Sequence, residues 1–237
     1  MKHLFGLPNL LTLCNLFCGC VNVLILTGYL QVPNKSLWIV SLMGLSLLFD
    51  LFDGMIARAL KIQSPIGGEL DSLADMVSFG LIPGLMFVEL LKSLEPGNYL
   101  YLLGFFITLF SALRLAIFNL DTEQSYYFKG LATPANSLFV LGLFWIYHNP
   151  SGPLYMKSLF SFWLLLPLCF LLCYLLISKI PLFSLKANGA SHKQNAYKYV
   201  FILLSLLALV FFQISALVFV IPAYILVSLV FRNRILS

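Results

Sequence analysis

Four aspartates stand close together in a sequence that is otherwise strongly apolar. In the stretch SLLFDLFDGMIARALKIQSPIGGELDSLADMVSFG they occupy positions Asp50, Asp53, Asp71 and Asp75. A charged side chain in hydrocarbon costs about 2.5–3.5 kcal/mol on insertion scales, and neighbouring anions also repel one another. Such a group persists only if something positive neutralises it.

The spacing of the four aspartates indicates what neutralises them. Asp50 and Asp53 are three residues apart and Asp71 and Asp75 are four apart, so each pair shares one helix face. Two antiparallel helices joined by a short loop would then present all four carboxylates to a common point. Clustered carboxylates without His or Cys favour hard divalent cations such as Mg²⁺, Mn²⁺ or Ca²⁺. Two ions could fit there, as in two-metal sites of phosphoryl-transfer enzymes.

Small residues and one arginine separate the two aspartate pairs. Gly54, Ala57, Gly67 and Gly68 allow close helix packing or close approach of a ligand to the backbone. Arg58 carries a planar set of donors suited to phosphate. Each feature alone has a simpler interpretation, since small residues often serve helix packing and a lone intramembrane aspartate often pairs or lines an ion path.

The composition indicates that lipid is the solvent of this chain. Of its 237 residues, 61% are hydrophobic and only 10% are charged, whereas a soluble domain is typically about 25% charged. The mean hydropathy is +0.97 and the pI is near 8.9. The basic residues are scattered between apolar runs, which fits membrane topology and argues against a nucleic-acid partner.

The apolar runs predict an all-α integral membrane protein with about eight transmembrane helices. Six runs have the length of one span, and the last apolar stretch, 199–231, is long enough for two short spans divided near Gln213 and Ser215. The six runs are 8–30, 37–57, 70–91, 98–118, 133–148 and 158–178. We expect a core over 1–178, a cytoplasmic connector over 179–198 and a hydrophobic hairpin over 199–237.

The positions of lysine and arginine predict the orientation. With the N-terminus inside, all of the 14 Lys and Arg residues except Lys35, Lys92 and Lys157 fall on the inner side. This bias places both termini and the loop between the aspartate pairs in the cytoplasm. We therefore expect the active site between helices 1–5 near the cytoplasmic surface, in a bacterial cytoplasmic (inner) membrane.

The aspartates also belong to a longer pattern. From Asp50 to Asp75 the chain reads DxxDGxxARx(8)GxxxDxxxD, with eight fixed positions across 26 residues. This pattern resembles, without departure, the signature of the CDP-alcohol phosphatidyltransferases. The resemblance implies an integral membrane enzyme that displaces CMP from a CDP-linked lipid with an alcohol.

Three further stretches resemble the phosphatidylserine synthase branch of that family. They are PNLLTLCNLFCG at 8–19, RLAIFN at 114–119 and FKGLATPAN at 128–136, and with the signature they cover roughly the first 140 residues. Two positions depart from the usual patterns of this branch, RLARFN and FxGLPTPAA. Ile117 stands where the branch usually has arginine, and Ala132 where it often has proline.

The resemblance implies roles for individual residues. Its substrates would be CDP-diacylglycerol and L-serine, and Asp50, Asp53, Asp71 and Asp75 would hold two divalent ions, Mn²⁺ or Mg²⁺. Asp75 would also be the general base that takes the proton of the serine hydroxyl. The residues implied to bind CDP-diacylglycerol are Pro8, Asn9, Thr12, Asn15, Gly54, Ala57, Arg58 and Gly67. Helix capping is the simpler interpretation of the polar residues among the first four.

Four further residues are candidates to bind serine. The zwitterion needs a cation for its carboxylate, and the candidates are Arg114 and Lys129, with Asn119 and Asn136 as amide partners. Lys129 could equally be an ordinary basic residue of a cytoplasmic loop. Homodimers are common in the resembled family, so a homodimer is a further expected partner besides the lipid bilayer.

Two other functions remain open at this point. A sibling enzyme would use glycerol 3-phosphate, inositol phosphate or choline, and a phosphorylated acceptor would call for a denser basic cluster than Arg114 and Lys129 provide. A divalent-cation transporter could also use intramembrane aspartates. A transporter needs carboxylates along a path across the bilayer, whereas these four are expected at one depth.

Overall fold

A computed structural model describes residues 6–62, 64–121, 127–150, 152, 160–183 and 195–232, with only the backbone at 127 and 128. The described residues form a helical bundle with one short β-ribbon. The α-helices are α1 Leu7–Leu26, α2 Lys35–Ala59, α3 Pro65–Asp75, α4 Ile82–Leu94, α5 Phe106–Leu120, α6 Thr133–His148, α7 Phe162–Ile177, α8 Ala196–Phe212 and α9 Leu217–Val230.

The helices have the composition of membrane spans. In the described part of the chain, five helical stretches are long and apolar enough to cross a membrane: Leu7–Leu26, Lys35–Ala59, Pro65–Leu94, Tyr99–Leu120 and Ala196–Val230. Large apolar side chains lie exposed on the outer faces, for example Phe17 and Val210, as expected where lipid replaces water. The fold class of a helical membrane protein is thus confirmed, while the count of eight spans stays a prediction.

The last apolar stretch folds back on itself, as the sequence predicts. A short 3₁₀ segment, Gln213–Ala216, separates α8 from α9, and Gln213 has a positive φ of 54°. The ring of Tyr197 at the start of α8 stacks on the ring of Phe231 after α9, with centroids 4.5 Å apart. The two helices therefore form an antiparallel hairpin with its turn at the predicted position.

The third predicted span contains a feature that the sequence analysis missed. Helix α3 continues without a break into a π-helical segment, Met76–Leu81, and then into α4. Pro83 lacks a backbone N–H, so the carbonyl four residues earlier has no helical partner and the ladder can widen there. Helix α1 crosses this segment closely, since a Cβ on Gly19 would lie 2.6 Å from Ser78 Oγ.

An ion-pair cluster marks the end of the bundle opposite the aspartates. Lys35 Nζ, at the start of α2, lies 2.8 Å from Glu89 Oε2 on α4 and donates to the Leu26 carbonyl at the end of α1. His148 Nε2, at the end of α6, lies 3.3 Å from Glu89 Oε1. These contacts join α1, α2, α4 and α6 at the end of the bundle opposite the aspartates.

Besides the helices, the described residues form one two-stranded ribbon that the sequence analysis did not predict. Strand β1, Tyr127–Lys129, pairs antiparallel with β2, Pro181–Phe183, and Lys129 is opposite Pro181. Strand β2 lies inside the predicted connector, whose residues 184–194 lie outside the described part of the chain. Hydropathy could not predict three-residue strands, because their pairing joins positions about 50 residues apart.

Candidate active site

Helices α2 and α3 bring three of the aspartates to one point. Asp50 and Asp53 lie in the last turns of α2, and Asp71 lies in α3 after a short connection. One carboxylate oxygen from each lies within 4.8 Å of the other two. Asp53 is buried, and Asp71 Oδ1 is buried with no hydrogen-bond partner among the described residues. The spacing of the aspartates predicted that their carboxylates would meet at one point, and the carboxylates of these three do so.

Asp75 lies beside this group and has different contacts. It ends α3, immediately before the π-helical segment, and its Oδ1 accepts a hydrogen bond of 3.3 Å from Asn15 Nδ2. The Asp50 carboxyl group contacts the carboxyl groups of both Asp71 and Asp75. Asp75 is therefore adjacent to the three-carboxylate group without belonging to it, and one of its oxygens already has an amide partner.

Helix α1 supplies the polar groups that hold the carboxylates. Thr12 Oγ1 lies 2.5 Å from Asp53 Oδ2. The backbone oxygen of Asn15 accepts hydrogen bonds from Ser46 Oγ on α2 and Ser78 Oγ in the π-helical segment. The N-cap of α1 is Gly6, so Thr12 and Asn15 contact aspartates and do not cap the helix.

A cavity of about 260 Å³ opens beside the carboxylates. Seven of the eight residues predicted to bind CDP-diacylglycerol line it, together with two of the aspartates. Its lining includes Pro8, Asn9, Thr12, Asp53, Gly54, Ala57, Arg58, Gly67, Gly68 and Asp71. The exception is Asn15, which is fully buried against Asp75.

The glycine at position 67 leaves room at the wall of this cavity. A Cβ there would lie 3.1 Å from Asn9 Oδ1 and 3.2 Å from Ser64 Oγ. Ser64 is the N-cap of α3 and accepts a hydrogen bond from the Gly67 backbone N–H. A side chain at position 67 would crowd both polar groups, so the small residue has a local steric reason.

A second cavity, of about 400 Å³, lies at the same end of the bundle. Four basic residues line it, with Asp121 as an acidic neighbour: they are Arg114, Lys129, Lys179 and Arg232. The Arg114 side chain is only 4% exposed; its Nε donates to the Leu131 carbonyl, and its Nη1 has no partner among the described residues. Lys129 Nζ lies 3.1 Å from Asp121 Oδ2.

The structure separates the four predicted serine contacts. Arg114 and Lys129 line the second cavity, whereas Asn119 exchanges hydrogen bonds with Ser72 on α3 and Asn136 is fully buried in α6. The contact between Asn119 and Ser72 still has a structural role, because it holds the end of α5 against the helix that carries Asp71 and Asp75. Only two of the four residues therefore lie together.

The donor set fits a divalent metal. Asp50, Asp53 and Asp71 offer only carboxylate oxygens, which suit Mg²⁺ or Mn²⁺ better than softer ions. The unpartnered oxygen of Asp71 is the kind of buried acceptor that a cation would satisfy. These three residues are the ones that would hold the metal, with Asp75 next to them.

Comparison with known proteins gives the family. The model of the family described as CDP-alcohol phosphatidyltransferase matches residues 5–174, well over half of the chain. The chain belongs to this family. Every residue that lines the first cavity lies within the matched region, and so do all four aspartates.

Curated relatives of this CDP-alcohol phosphatidyltransferase carry a more specific name. Three proteins named CDP-diacylglycerol–serine O-phosphatidyltransferase are similar to it. That of Helicobacter pylori strain J99 is 33% identical over 60% of this chain and 58% of its own length. That of Methanocaldococcus jannaschii is 36% identical over 50% and 54%, and that of Saccharomyces cerevisiae is 31% identical over 60% and 55%. The chain thus matches little more than half the length of these relatives.

Some residues that support or line the candidate site of this phosphatidyltransferase were absent from the sequence-based prediction. Ser46 and Ser78 hold α1, and Lys179 and Arg232 line the second cavity. The serines carry no signal in an apolar run. The distribution of Lys and Arg predicts Lys179 and Arg232 on the same side of the membrane as Arg114, but nothing in that distribution brings them to Arg114.

Proposed function

We propose that this CDP-alcohol phosphatidyltransferase is a phosphatidylserine synthase. It transfers the phosphatidyl group from CDP-diacylglycerol to the hydroxyl of L-serine and releases CMP. The observation that carries this proposal is a cluster of three carboxylates, two of which line a cavity of about 260 Å³ together with Arg58 and small residues. The names of the relatives support serine as the acceptor.

The first cavity would hold the CDP diphosphate. Asp50, Asp53 and Asp71 hold the divalent ions, Asp75 being adjacent, and Arg58 donates hydrogen bonds to phosphate. Pro8, Asn9, Thr12, Gly54, Ala57 and Gly67 form the walls. When bound, the ions would neutralise the charge that develops on the leaving phosphate.

Asp75 would take the proton. Its carboxylate accepts the proton of the serine hydroxyl while the serine oxygen forms a bond to the phosphatidyl phosphorus. The bond from that phosphorus to the CMP oxygen breaks, and CMP leaves with the electron pair. Asn15 donates to one oxygen of Asp75 at 3.3 Å and so orients the carboxylate, leaving the other oxygen for the proton.

The second cavity would bind the acceptor. Arg114 and Lys129 lie in it, and the unpartnered Nη1 of Arg114 is a buried donor suited to a carboxylate. Asn119 and Asn136 do not line this cavity, so the proposal assigns the acceptor contacts within it to Arg114 and Lys129. The reaction is proposed at the cytoplasmic surface of a bacterial inner membrane, where serine and CMP are soluble; a homodimer is also proposed.

One observation favours a second candidate function. The second cavity has four basic residues, which is the denser cluster that a phosphorylated alcohol would need. Purified protein given CDP-diacylglycerol and a panel of acceptors separates the candidates. Serine should give the fastest CMP release, ahead of glycerol 3-phosphate, inositol phosphate and choline. A higher kcat/KM with a phosphorylated alcohol than with serine would replace serine synthesis by the sibling activity.

A further inference from the structure

The C-terminal hairpin contributes to the second cavity although it lies outside the family match, which ends at residue 174. Six lining residues come after that point: Leu176, Ile177, Ser178, Lys179, Pro181 and Arg232. Arg232 follows the end of α9 by two residues and has an exposed side chain. The cavity is therefore built jointly by the family core and by a segment of this chain beyond it.

Helix α9 is fastened to the wall of this cavity. Tyr224 Oη donates to the Phe183 carbonyl at 2.8 Å, and the two rings meet edge to face with centroids 4.8 Å apart. The Phe183 N–H donates to Ser228 Oγ at 3.4 Å. Phe183 belongs to β2, whose pairing partner β1 carries Lys129. The position of Arg232 is thus coupled to that of Lys129 through one continuous set of contacts.

The connection between β1 and the end of α7 is equally tight. Gly130 has a φ of +79°, and a Cβ on it would lie 2.5 Å from the Ser178 carbonyl. Its N–H donates to the Ile180 carbonyl at 2.8 Å. Glycine is required there, since another residue would be strained and would collide with the backbone next to Lys179. These contacts hold the walls of the cavity in one arrangement.

The wall of the cavity also contains the position at which this chain departs from its branch of the family. Ile117 lines the cavity, one helical turn after Arg114. The pattern RLARFN has arginine at that position, and this chain has RLAIFN. Arg232 lines the same cavity from α9. Helix α5 therefore lacks the guanidinium that the pattern has at position 117, and the guanidinium group of Arg232 lines the same cavity from the hairpin.

We propose that Arg232 is a specificity-determining residue that supplies the second guanidinium of the acceptor site, in place of an arginine at position 117. With Arg114 it binds the anionic group of the acceptor, which is the carboxylate if the acceptor is serine. This inference rests on the proposed function for the identity of the acceptor. The hairpin then completes the acceptor site of this enzyme.

The test compares kinetic constants of purified full-length variants. Arg232→Gln should raise the KM for serine about three- to fivefold, as expected for the loss of one exposed charged contact, with the KM for CDP-diacylglycerol within twofold of wild type. Ile117→Arg added to Arg232→Gln should restore the KM for serine, because it returns a guanidinium to the same cavity. Lys61→Gln is the matched control. This substitution removes one positive charge from the same end of the bundle, and Lys61 lines neither cavity.

Three outcomes would overturn the inference. Equal effects of Arg232→Gln and Lys61→Gln would show that only overall charge matters. A parallel rise in both KM values with a lower melting temperature would show a structural role. If Ile117→Arg does not restore the KM for serine, a guanidinium at position 117 cannot replace that of Arg232. If serine gives no product, the proposed function fails, and the same four proteins are compared with the acceptor that reacts, where the same results support or overturn the role of Arg232.

Discussion

The hydroxyl of Thr12 and the carboxylate of Asp53 join α1 to α2 across the candidate site, with Thr12 Oγ1 2.5 Å from Asp53 Oδ2. Both residues are buried and both line the first cavity. A hydroxyl that donates to a carboxylate fixes which oxygen faces the neighbouring ligands. The contact therefore links the start of helix α1 to the residues of α2 that are proposed to bind metal.

Removal of this hydroxyl should weaken metal binding. Thr12→Val keeps the shape of the side chain but leaves Asp53 without its donor, and partners of metal ligands typically contribute 10–100-fold to affinity. We expect the Mn²⁺ concentration for half-maximal activity to rise by about tenfold or more. The control is Thr27→Val at the C-cap of the same helix, because the Thr27 hydroxyl donates to the backbone carbonyls of Val23 and Leu24 at the opposite end. Equal metal dependence in the two variants would contradict the role of Thr12.

Substitution of Asp75 should affect the reaction differently from substitution of the aspartates that are proposed to bind metal. Asp75→Asn retains size and one oxygen but cannot take the serine proton, so kcat should fall by about 10²–10⁴ while CDP-diacylglycerol still binds. Asp53→Asn and Asp71→Asn should instead weaken metal and nucleotide binding, with partial recovery at high Mn²⁺. Direct CDP-diacylglycerol binding to each variant at several Mn²⁺ concentrations separates these roles. If added metal restores turnover in Asp75→Asn, Asp75 is a ligand and the proton goes elsewhere.

The wall at Gly67 should be sensitive to a single methyl group. In Gly67→Ala the new Cβ would lie within 3.2 Å of Asn9 Oδ1 and Ser64 Oγ, so the cavity must deform and the KM for CDP-diacylglycerol should rise. Gly44→Ala on α2 is the control, because a Cβ there meets no atom within 4 Å. Both helical substitutions gain similar helix propensity. A KM for CDP-diacylglycerol in Gly67→Ala equal to that in Gly44→Ala would show that the cavity wall does not contact the nucleotide.

The orientation in the membrane can be measured at two loops. In a variant without native cysteines, Lys61→Cys lies at the end of the bundle that carries the aspartates, and Gly97→Cys follows α4 at the opposite end. Impermeant thiol reagents added to intact cells should label position 97 and leave position 61 unlabelled until the membrane is opened. The reverse pattern would place the site outside the cytoplasm, away from its proposed substrates.

The spacing of residues in the sequence predicted those parts of the site that depend on the geometry of a single helix or of two helices joined by a short loop. The intervals between Asp50 and Asp53 and between Asp71 and Asp75 indicate shared helix faces, and a short loop between two helices leaves little freedom in how the faces meet. Seven of the residues that the family resemblance implied to bind CDP-diacylglycerol line the first cavity. The division of the last apolar stretch at Gln213 followed from its length and from two polar residues.

Long-range packing determined what could not be predicted. The separation of Asp75 from the other three aspartates follows from its contact with Asn15, on a helix 60 positions earlier. Asn119 pairs with Ser72 and does not line the cavity that Arg114 lines. Arg232 reaches that cavity only because α9 is fastened to β2. No pattern within one segment carries this information.

The most direct test of the central claim is the stoichiometry of the reaction with purified protein. With CDP-diacylglycerol, serine and Mn²⁺ or Mg²⁺, we predict one CMP released for each phosphatidylserine formed. Excess chelator should abolish both products, and added metal should restore them, because the three clustered carboxylates offer no other kind of ligand. CMP release that does not require serine, or full activity in excess chelator, would contradict the account.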